Sequence, residues 1–227
     1  MERVMDPNSY TYQHHIKRYE YASKFVENKT VCSVACGIGY GERFIAEQGS
    51  PEHIYAFDID RNALDYARKN NSNEKITFSH IDDFDKLIQN DSIDVFLSLE
   101  TIEHIEKDVE FLDRVWRSLK QGGELIISTP NKAFSYRNLL SKKPLNKYHI
   151  REYKKDELVN LLSEKFNNIE VLGQKRILKR SLKNIWKYLF YHLTKKLADY
   201  EPNDFDIKPF PTDKEHEMAY ILIKCRK

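Results

Sequence analysis

A chain of 227 residues, 41% of them hydrophobic, is long enough for one α/β domain that buries roughly 70–75% of the surface its unfolded form exposes. Thirty-seven basic against 35 acidic side chains leave a net charge of +2, and a pI of 8.2 falls short of the value above about 9 that marks a dedicated nucleic-acid binder. A mean hydropathy of -0.67 without a long apolar run argues against a membrane span, and MERVMDPNSYTYQHH lacks the apolar core of a secretion signal.

In chain order, Tyr12, Ile16, Tyr19, Phe25 and Val26 recur at near-helical spacing and predict a helix over residues 10–27. Strand and helix signals then alternate. TVCSVA (30–35), HIYAFDI (53–59), KITFSHI (75–81), IDVFLSL (93–99) and ELIISTP (124–130) read as strands. Helices are predicted from Glu42, over 62–70 and over 107–120, the last capped by Gly122 and Gly123. KDELVNLLSEKF (155–166) is a further helix, IEVLGQK (169–175) a sixth strand and EMAYILIKCR (217–226) a last one. Alternation of this kind predicts right-handed crossovers and a mostly parallel sheet with helices on both faces. The last strand follows no crossover helix, so antiparallel pairing beside the sixth is expected. Cys32, Cys36 and Cys225 have no CxxC spacing and sit in apolar stretches. They read as buried thiols of a reducing, cytoplasmic compartment, not as metal ligands.

Three of the seven glycines, Gly37, Gly39 and Gly41, fall within five positions directly after the first strand. A strand, a glycine turn and a helix make a nucleotide-binding corner, and Asp58 ends the next strand where a carboxylate accepts ribose hydroxyls. The dinucleotide fingerprint fails in both registers, because Glu42 or Phe44 stands where its third glycine belongs. A pyrophosphate would also meet Glu42 near the helix start, so NAD and FAD are disfavoured against a nucleoside without phosphates.

VACGIGYGERFIAE resembles the first motif of class I S-adenosylmethionine (SAM)-dependent methyltransferases. LSLETIEHI, LKQGGELIISTPN and NKYHIREY (146–153) are similar to their later motifs. The resemblance runs from about residue 10 to 170. It implies a Rossmann-like, mostly parallel seven-stranded sheet with an antiparallel last strand, SAM as cofactor and S-adenosylhomocysteine as product. It also implies site residues. The turn from Ala35 through Gly37 and Gly39 to Gly41 would hold the methionine part, Asp58 the ribose, and Ile59 the adenine face. Asp82, or its neighbour Asp83, would accept from the adenine amino group, and Leu99 would contribute backbone. Arg18 in the N-terminal cap would grip the methionine carboxylate.

For an alcohol acceptor a base helps, and the candidates follow strands four and five. On a helical turn Glu100, Glu103 and His104 would share a face. His104, or His149 in the later loop, is the expected general base. Glu100, Glu103, His104 and His149 are also similar in order to the metal set of small-RNA 2′-O-methyltransferases. The strand-four end lacks the Asn/Asp-Pro-Pro-aromatic turn of enzymes that methylate exocyclic amines. Pro130 is expected to shape the turn after strand five, with Asn131 facing the acceptor.

Between Val171 and Ala198 there are eight basic residues and no acid, with Leu178, Leu182, Ile185, Trp186, Leu189, Leu193 and Leu197 at helical spacing. This predicts a basic amphipathic helix over 176–200, packed as one wall of the acceptor pocket; a membrane-surface helix or a homodimer contact are the other readings. The whole chain, 1–227, then reads as a single domain with a helical cap at 1–28. The expected activity is O-methylation of a small-molecule or glycan acceptor, for which an acidic group would suit the basic wall. The rival readings are a metal-dependent RNA 2′-O-methyltransferase, a nucleotide-dependent reductase and a non-catalytic module.

Overall fold

The computed structural model describes residues 10–135, 144, 146–175, 206–211 and 215–227. The strands are β1 (Thr30–Val34), β2 (His53–Asp58), β3 (Ile76–His80), β4 (Ile93–Leu99), β5 (Leu119–Pro130), β6 (Asn167–Lys175), β7 (Ile207–Pro209) and β8 (Met218–Arg226). The helices are α1 (Tyr10–Ala22), α2 (Tyr40–Gln48), α3 (Arg61–Asn70), α4 (Phe84–Leu87), α5 (Asp108–Ser118), α6 (Lys132–Ser135) and α7 (Lys155–Ser163).

They form one sheet of order β3-β2-β1-β4-β5-β8-β6-β7. The first five strands are parallel; β8 lies antiparallel between β5 and β6. The expected seven strands become eight because Ile207–Pro209 adds an antiparallel edge to β6. Three residues are too few for a period-two pattern to mark them in the sequence.

Alternation along each strand divides the core. Cys32, Phe96, Leu125, Ile127 and Ile223 point to one face, against α5 and α7, where Leu112, Val115, Leu158 and Leu162 are buried. Val31, Val95, Leu97, Ile126 and Leu222 point to the other, under Tyr19 and Ala22 of α1, Ile45 of α2 and Leu64 of α3. Each Val, Leu, Ile or Phe side chain among them taken fully from water contributes about 1.5–3 kcal/mol.

The helix expected over 107–120 ends at Ser118, and Gly122 and Gly123 do not cap it. Leu119 is already extended and pairs with Ile93, and the strand's register shifts before Glu124 meets Val95. Gly122 takes the left-handed φ of +79° in that irregular stretch. The basic helix predicted over 176–200 lies outside the described residues. No helix among the described residues is long and apolar enough to cross a membrane.

The chain runs β1, β2, β3 toward one edge and then returns to place β4 on the other side of β1. The carboxyl ends of β1 and β4 therefore diverge at the point where α/β sheets take their ligands.

Candidate functional site

At that point Ala35, Gly37 and Gly39 all adopt positive φ, at 56°, 57° and 77°. The bend turns three backbone segments so that Cys36 N–H donates to Phe57 O and Gly39 N–H to Cys36 O, both at 3.0 Å. The glycines have separate reasons. A Cβ on Gly37 would meet nothing within 4 Å, so the turn presents open space there. A Cβ on Gly39 would lie 2.5 Å from the Phe78 ring, and one on Gly41 2.0 Å from the Tyr19 ring. Gly37 thus serves the cleft, whereas Gly41 lets α1 close over α2.

Asp58 at the end of β2 and the two residues after it divide the work between them. Asp58, 5% exposed, accepts from Gly37 N–H through Oδ2 at 2.7 Å and from Asp60 N–H through Oδ1 at 2.8 Å. A carboxylate has about four acceptor positions, so two remain for hydroxyl donors. Ile59 is 71% exposed, an apolar side chain at the mouth of the cleft. Asp60 caps α3 by accepting from Asn62 and Ala63 N–H. On the neighbouring strand end, His80 Nε2 donates to Ile59 O at 2.9 Å, and the turn 81–83 carries the two aspartates. Asp82 is largely exposed, and its backbone N–H donates to His80 Nδ1 at 3.3 Å. Asp83 is bound at 2.7 Å by Lys86 Nζ, which leaves Asp82 the more open acceptor.

Arg18 is buried rather than free in the cleft. Its Nε donates to Gln174 Oε1 at 3.0 Å, its Nη1 lies 3.2 Å from Glu100 Oε1, and its guanidinium stacks over Tyr220 at 4.0 Å. Its Nη2 is buried and has no hydrogen-bond partner among the described residues. Leu99 ends β4 immediately before Glu100, whose φ is +54°.

Two readings of the sequence are corrected here. Glu42 does not face a ligand: it is fully buried beneath α2 and accepts from Ser33 Oγ at 2.7 Å. The signal was present in the sequence, since Glu42 shares the i, i+3, i+4 face of Ile45 and Ala46. Burial raises its pKa from 4.5 to about 7. Asn131 does not face an acceptor either. It is fully buried, donates to the carbonyls of Glu215 and Met218, and accepts from Ala133 N–H.

Glu100, Glu103 and His104 do not share one face, because only Ile102–His104 forms a helical turn, and a tight one. Glu100 turns to Arg18 and Ser128 Oγ, and Glu103 to Thr129 Oγ1 at 3.0 Å. Burial first, and then the Glu100 carboxylate, hold the Glu103 carboxyl well above the ordinary range. What the fold does bring together is His104 with His149, their rings 5.0 Å apart and edge to face. His149 Nδ1 meets Glu152 Oε1 at 2.8 Å, a buried carboxylate that the sequence reading did not single out.

The sequence matches the methyltransferase-domain family over residues 25–194. It is 28% identical over 159 residues to a "Probable S-adenosylmethionine-dependent methyltransferase" of Mycobacterium tuberculosis, covering 70% of this chain and 56% of that protein. It is 27% identical over 171 residues to the ubiquinone biosynthesis O-methyltransferase of Rickettsia typhi, covering 69% of this chain and 66% of that protein. The chain spans little more than half the length of the mycobacterial relative. Among solved structures, the Haemonchus contortus phosphoethanolamine N-methyltransferase 2, in complex with phosphomonomethylethanolamine and S-adenosylhomocysteine, shares the fold. Its TM-score is 0.64 at 16% identity, over 95% of this chain and 52% of that one.

Proposed function

The chain belongs to the S-adenosylmethionine-dependent methyltransferase family, and from that premise we propose that it methylates a hydroxyl of a small-molecule or glycan acceptor with SAM as donor. The observation that carries the reading is the corner where an open glycine turn faces Asp58 with acceptor positions to spare. When bound, SAM supplies a methyl group on a positively charged sulfur, which is electrophilic without further activation.

The residues present suit that cofactor. Asp58 accepts from the ribose hydroxyls, Ile59 covers the adenine, and Asp82, in preference to Asp83, accepts from the adenine amino group. Ala35 to Gly41 and the backbone of Leu99 would border the methionine part, and the buried, unpartnered Nη2 of Arg18 is the group assigned to its carboxylate. Activation of the acceptor is assigned to His104 and His149. A carbonyl can only accept, so the contact of His104 Nδ1 with Tyr148 O at 2.9 Å puts the proton on Nδ1. The lone pair of Nε2 is then the group able to take a hydroxyl proton. An oxygen acceptor is favoured because LSLET ends β4 without the Asn/Asp-Pro-Pro turn, and the O-methyltransferase likeness of the Rickettsia relative agrees with it. A cytoplasmic setting is supported by the three buried, free cysteines.

Thermal shift with SAM, S-adenosylhomocysteine, NAD and FAD tests the cofactor, since a ligand at 100 times its Kd adds about 2.7 kcal/mol. Stabilisation by SAM and S-adenosylhomocysteine only is expected; stabilisation by NAD or FAD instead would overturn the reading. A tritiated-methyl assay across nucleotide sugars, glycans, lipid phosphates and RNA then identifies the acceptor.

Two glycine variants separate ligand contact from packing. Gly37→Ala meets only the positive-φ penalty, about 1–2 kcal/mol, and is expected to fold yet bind SAM poorly because its methyl enters the cleft. Gly39→Ala adds a clash with Phe78 to the same penalty, about 2–5 kcal/mol in all, and its principal loss is in urea stability. Equal urea midpoints for the two variants would contradict this division.

A further inference from the structure

We propose that Glu103, His104 and His149 form a binding site for a divalent transition-metal ion. One ligand-capable atom from each lies within 4.8 Å of the others. The residues come from the 102–104 turn after β4 and from the 146–153 segment before α7. The backbone joins the two, because Glu103 O accepts from both Ile150 N–H at 2.8 Å and Arg151 N–H at 3.2 Å.

Each imidazole is prepared as an Nε2 donor. His104 Nδ1 is held by Tyr148 O and His149 Nδ1 by Glu152 Oε1, at 2.9 and 2.8 Å. An acceptor on the far nitrogen is the arrangement that fixes tautomer and ring orientation in metal-binding histidines. The buried Glu152 carboxylate is 4% exposed and gives His149 a charged outer partner. Glu103 supplies the independent observation. It is 1% exposed; Oε2 accepts from Thr129 Oγ1, while Oε1 has no partner among the described residues. A buried carboxylate oxygen without a donor is costly, and a cation beside it removes that cost.

The donor set decides the ion. Two imidazoles and one carboxylate suit Zn²⁺, Co²⁺ or Mn²⁺, whereas Mg²⁺ and Ca²⁺ take oxygen ligands. Three protein ligands leave a position open. Glu100 is outside the set: Arg18 Nη1 and Ser128 Oγ hold its Oε1, and the grouped ligand atoms are those of Glu103, His104 and His149 alone. The Asn146 amide, 2.9 Å from His149 Nε2, is the group that the ion displaces. The site stands without the methyl-transfer reading. Only its role rests on that reading: at the open position a cation would lower the pKa of an acceptor hydroxyl, which then releases its proton to solvent water, and His104 Nε2 would serve as the base only in the metal-free protein.

The test uses the full chain stripped with EDTA and titrated calorimetrically with ZnCl₂, with CoCl₂ followed by its visible absorption and with MgCl₂. One equivalent of Zn²⁺ and of Co²⁺ should bind, with no saturable heat from Mg²⁺. His104→Ala and His149→Ala should each abolish the cobalt spectrum while leaving the far-UV circular dichroism intact. Glu152→Gln should weaken Zn²⁺ about 10–100-fold, the size of an outer-partner effect. The two histidine variants keep the test decisive should Glu103→Gln fail to fold. Absence of saturable Zn²⁺ and Co²⁺ binding, or binding unchanged in both histidine variants, overturns the proposal. S-adenosylhomocysteine binding is measured on the same samples. Metal binding without it would sink the methyl-transfer reading and leave the site, and the converse would sink the site alone.

Discussion

Asp58→Ala is expected to lower affinity for SAM and S-adenosylhomocysteine at least tenfold, a loss of about 1.4 kcal/mol or more. That floor is low for a carboxylate which both receives the ribose and holds the turn. Hydrogen bonds to charged groups contribute about 1.5–3 kcal/mol each. Asp58 already makes two of them, to Gly37 N–H and Asp60 N–H. Truncation frees the amide of the one glycine that faces the cleft, so the bend itself loses its tether and the variant should also be less stable. Asp58→Asn retains one acceptor oxygen and should fall between parent and alanine variant. Calorimetric titration with S-adenosylhomocysteine reads the effect, with circular dichroism establishing that each variant is folded. A folded Asp58→Ala protein with unaltered Kd would remove Asp58 from the ribose site.

Glu42→Gln is expected to stabilise the protein by about 3 kcal/mol at pH 8 and by almost nothing at pH 4. The parent carboxyl has a pKa of about 7 when folded against 4.5 as its ordinary value. Between those two values the folded state keeps a proton that the unfolded chain has released. Stability therefore falls as pH rises through this window, and above pH 7 the folded protein carries a buried charge with the full penalty. Glutamine keeps an oxygen to accept from Ser33 Oγ, in place of the 2.7 Å bond to Oε1, and has nothing to ionise. The difference between parent and variant isolates this group from every other titration. Urea denaturation at pH 4, 6 and 8 should give curves that coincide at the acid end and separate above neutrality. A constant difference across the range would mean that Glu42 does not titrate in the window.

Much of this architecture was legible before any coordinates. Apolar alternation marked β1 to β5, and β6 and β8 as well. Three glycines behind a strand, with an acid ending the next, marked the cleft, because a close backbone bend and a carboxylate are local requirements written in local residues. The errors lie where the sequence offers a type but not a direction. Asn131 was read toward an acceptor and instead ties β5 to the start of β8. Glu42 was read toward a phosphate, although its position relative to Ile45 and Ala46 pointed inward.

By itself the sequence determined the order of elements, the glycine bend, the acid that faces it and the family to which the chain belongs, all through spacings of a few residues. Tertiary structure alone decided that Arg18 would meet Gln174, 156 residues away, and that Glu100 would part from Glu103. It also decided that His104 would find His149 and, behind it, Glu152. Side-chain partners of that kind are chosen by which strand ends the sheet order brings side by side, and no periodicity along the chain records that choice.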